Sequence, residues 1–88
     1  MKKITGDELK KLGFKKEIEE SYDNEPGYHY YIYEVNDSGL FISCANDEKI
    51  DGAYWVEFYE IPELRFTDLE LLKKQMEIIN KLEDADTN

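Results

Sequence analysis

The sequence predicts an α+β fold: a two-layer sandwich in which an antiparallel sheet of four or five strands carries a short N-terminal helix and a longer C-terminal helix on one face. Three observations predict it. Residues 67–82 form one long, capped stretch with helical periodicity. A second, much shorter capped segment opens the chain. Between the two lie aromatic runs of alternating side chains, separated by turn residues. Eighty-eight residues hold one modest core, and a single sheet with two helices buries most when both helices cover the same face.

The first helix is expected to start at Thr5, whose hydroxyl can accept a free backbone N–H while Glu8 reaches back. Asp7 and Glu8 suit its first turn and Lys10 and Lys11 its last. Leu9 and Leu12 give it an apolar edge, and Gly13 fits the left-handed position that ends a helix. Residues 15–22 read as an outer strand, with Phe14, Lys16, Ile18 and Glu20 on one face and charges that discourage edge aggregation. Asp23, Asn24, Glu25, Pro26 and Gly27 read as a turn.

Residues 28–35 form a strand with Tyr31, Tyr33 and Val35 on one side and Tyr28, Tyr30, Ile32 and Glu34 on the other. Asn36, Asp37, Ser38 and Gly39 make a hairpin connection, with Gly39 available for positive φ. Residues 40–45 return as a strand, Leu40, Ile42 and Cys44 sharing a face. Residues 46–52 read as a polar loop. A third strand, 54–60, alternates Tyr54, Val56 and Phe58 with Trp55, Glu57 and Tyr59. Pro62 ends it or opens the next piece, and 64–66 is expected as a short edge strand.

In the long helix, Thr67 and Glu70 form a capping box and Phe66 can staple against Leu71. Leu69, Leu72, Met76, Ile79 and Leu82 make the apolar stripe, widened by Ile78, and Glu70 faces Lys74 one turn on. A helix of about four turns is marginal alone, so its stripe needs the sheet. The acidic tail 83–88 is expected to fray. Residues 1–88 thus read as one domain.

Twenty-one acidic residues stand against eleven basic ones, for a formal net charge of −10. Such a chain repels bare nucleic acid and anionic lipid and is better matched to a basic protein. Cys44 is the only cysteine, which excludes an internal disulfide and a thiolate zinc cluster. With no apolar run long enough to span a bilayer and no signal-peptide core, the reading is cytoplasmic, with no membrane contact.

Chemistry-bearing motifs are sparse, and no cofactor is implied. His29 is the only histidine; a general base needs a positioned acid or nucleophile, and its sequence neighbours are tyrosines. Cys44 reads as a buried, inert thiol. The acidic loops at 23–25 and 47–51 lack the ligand spacing of a calcium loop, and Lys49 interrupts the second. The remaining constellation is Tyr28, Tyr30, Tyr31, Tyr33, Trp55 and Tyr59, residue types enriched at protein interfaces.

A Lys-rich start with a Gly-stopped helix, an aromatic meander and a helix opening of Phe66, Thr67, Asp68, Leu69 and Glu70, then Leu72, Lys73 and Lys74, cover most of the chain. In these features it resembles small uncharacterised α+β proteins of bacterial genomes and prophages. The resemblance implies no activity and assigns no functional residue. Three functions stay open: a non-enzymatic protein-interaction module, with a separate partner or a second copy as a homodimer; an acidic inhibitor that mimics nucleic-acid charge; and a small enzyme or ligand-binding protein using His29.

Overall fold

The structure is a computed structural model and describes residues 2–21, 26–35, 39–59 and 61–86. Its elements are α1 (Gly6–Lys11), β1 (Lys15–Glu19), β2 (Tyr28–Val35), β3 (Gly39–Ser43), a 3-10 turn (Asn46–Glu48), β4 (Val56–Phe58), β5 (Ile61–Phe66) and α2 (Leu69–Asp86). The five strands form one sheet in chain order, each antiparallel to the next. Both helices cover one face, which is the sandwich the sequence predicts. The expected connections at 23–25 and 36–38 lie outside the described residues, as do Glu60 and residues 87 and 88.

Local chemistry accounts for α1 closely. Thr5 caps it by accepting the Glu8 N–H, and Leu12 is its last half-helical residue. Gly13 then adopts φ +100°. Its N–H bonds to the Lys10 carbonyl and that of Phe14 to the Leu9 carbonyl, the paired bonds of a Schellman ending. This delivers Phe14 into the core, where it packs on Tyr33 with ring centroids 5.5 Å apart.

α2 begins at Leu69. The Asp68 carbonyl accepts the first helical N–H, from Leu72, while the Asp68 carboxylate accepts the Lys2 backbone N–H at 2.8 Å. The Leu69 N–H in turn bonds to the Lys2 carbonyl. Leu69, Leu72 and Met76 are buried and Ile79 packs beside them, as the stripe requires. Two expectations fail: Ile78 does not widen the stripe and Leu71 does not staple, for both are exposed. Glu70 meets Lys73 and Lys2 at about 4 Å rather than Lys74. The helical backbone continues past Leu82 to Asp86.

The core centres on Phe41, fully buried and set edge-on to Phe58 at 5.2 Å. Ile4, Leu9, Val35, Val56, Leu69 and Leu72 close around it. Truncating such a ring costs about 3–5 kcal/mol. β4 is shorter than expected and β5 longer, the pairing between them shifting register at Glu57 and Phe58. As the outermost strand, β5 accommodates Pro62. The polar loop 46–52 holds more structure than expected. The Ala45 N–H bonds to Glu48 Oε1, and Ile50 and Ala53 exchange two backbone bonds around Asp51 and Gly52, both at positive φ. That is a type I′ hairpin turn, for which Asp-Gly is a strong signal.

Candidate functional site

Strand geometry decides which aromatic residues are free to act. Successive side chains on β2 alternate, so sending Tyr31 and Val35 into the helix-covered core turns Tyr28, Tyr30, Ile32 and Glu34 outward. One row of directly opposed residues crosses the whole uncovered face: Lys15, Ile32, Ile42, Glu57 and Arg65. Leu40 joins it opposite Glu34. The face is thus an aliphatic and aromatic centre with charged ends.

The six aromatic candidates divide. Tyr28 (42 % exposed) and the half-buried Tyr30 lie side by side on the open face, rings 6.3 Å apart. Tyr59 is 52 % exposed beyond the end of β4, its N–H held by the Leu40 carbonyl. Trp55 is half-buried, with the Arg65 guanidinium 4.1 Å over its ring and Arg65 also 3.3 Å from the Glu57 carboxylate. Tyr31 and Tyr33 turn to the helix side: Tyr31 is buried edge-on to Tyr54, and the half-buried Tyr33 packs on Phe14 and Phe41 while its hydroxyl accepts from the Asn80 amide at 3.4 Å. α1 decides this, since Gly6 lies against the Tyr31 hydroxyl and Gly13 against the Tyr33 ring. Ile32, Leu40 and Ile42 join the face instead. Their alternation was readable; which side the helices cover was not.

Carboxylates flank the aromatic end of this face. Glu17 stands opposite Tyr30 and Glu19 opposite Tyr28. Burial raises the Tyr30 hydroxyl above its usual pKa, helped by the fields of Glu19 and Glu17 and a hydrogen bond to Glu19. On the other side, a depression of about 270 Å³ runs along Tyr28, Tyr30 and Ile42 to Ala45 and Glu48.

His29 points to the helix side. Its N–H donates to Asn46 Oδ1, and its Nε2 lies 2.9 Å from the Tyr54 hydroxyl. Burial, then the positive charges of Lys16, Lys49 and Lys10, lower its pKa, so the ring is neutral near pH 7. It lines an open depression of about 460 Å³ that Glu19 and Glu20 also border. Its ring partner is nevertheless a tyrosine, and burial raises that hydroxyl's pKa, which keeps it protonated near pH 7. Cys44 is buried, and burial pushes its thiol pKa up, away from the reactive thiolate. Among the described residues no group of His, Cys, Asp and Glu is placed to hold a metal, and no described helix is long and apolar enough to cross a membrane.

Comparison with protein-family models, with curated proteins and with solved structures gives no match, so the site is read from its own geometry.

Proposed function

We propose that the protein is a non-enzymatic, cytoplasmic interaction module that receives a basic protein partner on its uncovered sheet face. One observation carries the reading: Tyr28, Tyr30, Ile32, Leu40 and Ile42 share a face on which neither helix packs, in a chain of net charge −10. An apolar centre with a charged rim is the anatomy of a protein interface. The charge selects the occupant. A second copy would bring ten more negative charges to the contact, whereas a basic partner gains attraction during encounter and suffers no like-charge cost. A buried, unpaired Cys44 suits a reducing compartment. The likeness to small bacterial and prophage proteins supports a bacterial setting. Nucleic-acid mimicry is less well supported, because Lys15 and Lys16 precede Glu17 on β1, and Lys2, Lys11, Arg65 and Lys73 each meet a carboxylate.

Site-specific photo-crosslinking tests this. A photoreactive residue at Leu40, on the central strand of the face, is compared in the producing cell with one at Leu71, exposed on α2. The expected result is a defined adduct from Leu40 alone, with a basic protein whose purified form binds more weakly as salt rises. Equal adducts from both positions, no adduct, or an adduct between two copies of this chain overturns it.

A further inference from the structure

The aromatic end of the open face has a more specific shape than the rest. Tyr28 and Tyr30 incline to each other by 30°. Carboxylates border them on both sides: Glu19 from β1, opposite Tyr28, and Glu48 from the 3-10 turn. Glu48 is held in place, since one of its oxygens accepts the Ala45 N–H. A second depression, about 310 Å³, continues past Tyr28 to Asp47. Among the described residues neither depression is lined by Lys or Arg. The nearby Lys49 turns away, its ammonium 5.3 Å over the Tyr54 ring. Two π faces, the held Glu48 carboxylate and the Glu19 carboxylate beside the Tyr30 hydroxyl, with no described Lys or Arg lining the two depressions, match one chemical group well. A guanidinium stacks on rings while its edge donates to carboxylates.

We infer that the strip of Tyr28 and Tyr30, bordered by Glu19 and Glu48, seats an arginine side chain of the partner protein. The inference rests on the docking-face reading and locates its anchor. The guanidinium lies against the Tyr28 ring, and Glu48 and Glu19 accept its N–H groups from the two sides. The apolar row of Ile32 and Ile42 takes the neighbouring part of the partner.

The probe is the capped tripeptide Gly-Arg-Gly, titrated into the full chain labelled with nitrogen-15, against the same peptide with citrulline, which keeps the shape and loses the charge. Amide shifts are expected at Tyr28, Tyr30, Ala45 and Glu48 with arginine and not with citrulline. Tyr28→Leu, at an exposed position, weakens arginine binding about two- to fivefold. Glu48→Gln, which keeps an acceptor for Ala45, does likewise, while the amides of Phe41 and Leu72 stay put and report an intact core. Shifts scattered over the acidic surface, an equal response to citrulline, or unchanged binding in both variants overturns the seat. The cross-linked partner separates this from the wider reading. If Leu40→Asp abolishes its binding and Tyr28→Leu does not, the seat is wrong and the face stands. If Leu40→Asp leaves binding intact in a folded protein, the face itself is wrong.

Discussion

The backbone N–H of Tyr31 donates to the Ser43 hydroxyl at 2.9 Å, and the same hydroxyl donates to the Cys44 carbonyl at 2.9 Å. The described β2–β3 pairing ends at Ile32 and Ile42, so a side chain takes over where the ladder stops. Ser43 is the one buried polar residue in the described core. Ser43→Ala removes the hydroxyl and leaves a buried N–H unpaired. The expected loss is about 1–3 kcal/mol of stability, read as a lower urea midpoint with faster hydrogen exchange at the Tyr31 amide. Unchanged exchange there would show that another acceptor replaces the hydroxyl.

Two glycines separate backbone strain from crowding. Gly52 has φ +77° with open space around it, whereas Gly39 has φ +136° and a Cβ there would lie 2.6 Å from Phe58 Cζ. Gly52→Ala should cost about 1–2 kcal/mol from conformation alone. Gly39→Ala should cost clearly more, because the Phe58 ring that packs edge-on to Phe41 must move. Thermal melts of the two variants side by side check the order; equal losses would mean that the ring shifts freely.

His29 sets a pH window. Its folded pKa lies below the ordinary 6.5, so the unfolded chain binds more protons between the two values. Its contribution to stability is complete above pH 6.5 and is lost as pH falls through the folded pKa. Unfolding by urea at pH 7.5 and at steps down to pH 5, compared between wild type and His29→Gln, isolates this from the carboxylates. The wild type should lose more stability over that interval than the variant. A folded His29 pKa above 6.5 by NMR would reverse the sign.

Asp68 ties the first described residue to the start of α2 through the Lys2 N–H. Asp68→Asn keeps an acceptor and should be close to neutral. Asp68→Ala should cost about 0.5–1.5 kcal/mol, seen in chemical denaturation together with faster exchange at the Lys2 amide. Equal behaviour of the two variants would assign the effect to charge at the helix start instead.

Elements with local causes were legible. Thr5 and Gly13 bound α1 by their own chemistry, and all of Tyr28–Val35 was readable as a strand from alternation and residue type. Which face turns inward was not legible, because Tyr31 and Tyr33 on one side and Tyr28 and Tyr30 on the other are the same residue type. Only the approach of Gly6 and Gly13 breaks the tie, and that is a long-range contact. Cys44 shows a similar limit. It is buried as expected, yet Leu40 and Ile42, its expected face-mates, are half-exposed on the open side: β3 stops at Ser43 and Cys44 bonds across to the Trp55 carbonyl. The Asp51-Gly52 turn, by contrast, carried a plain local signal that the reading of 46–52 as a polar loop passed over.

The fully buried Ile4 pairs with Tyr54, and the Lys2 carbonyl accepts from Leu69. Residues 2–4 therefore find their places only against segments far along the chain. Until Leu69, Leu72 and Met76 have cleared the exit tunnel, the core face of the sheet has only α1 to cover it. Closure of the domain thus waits for α2 and is governed by contacts of long sequence separation, the kind that slow folding. Until then more of the sheet's apolar surface stays open, and the charges along β1, an edge strand, discourage pairing with another chain.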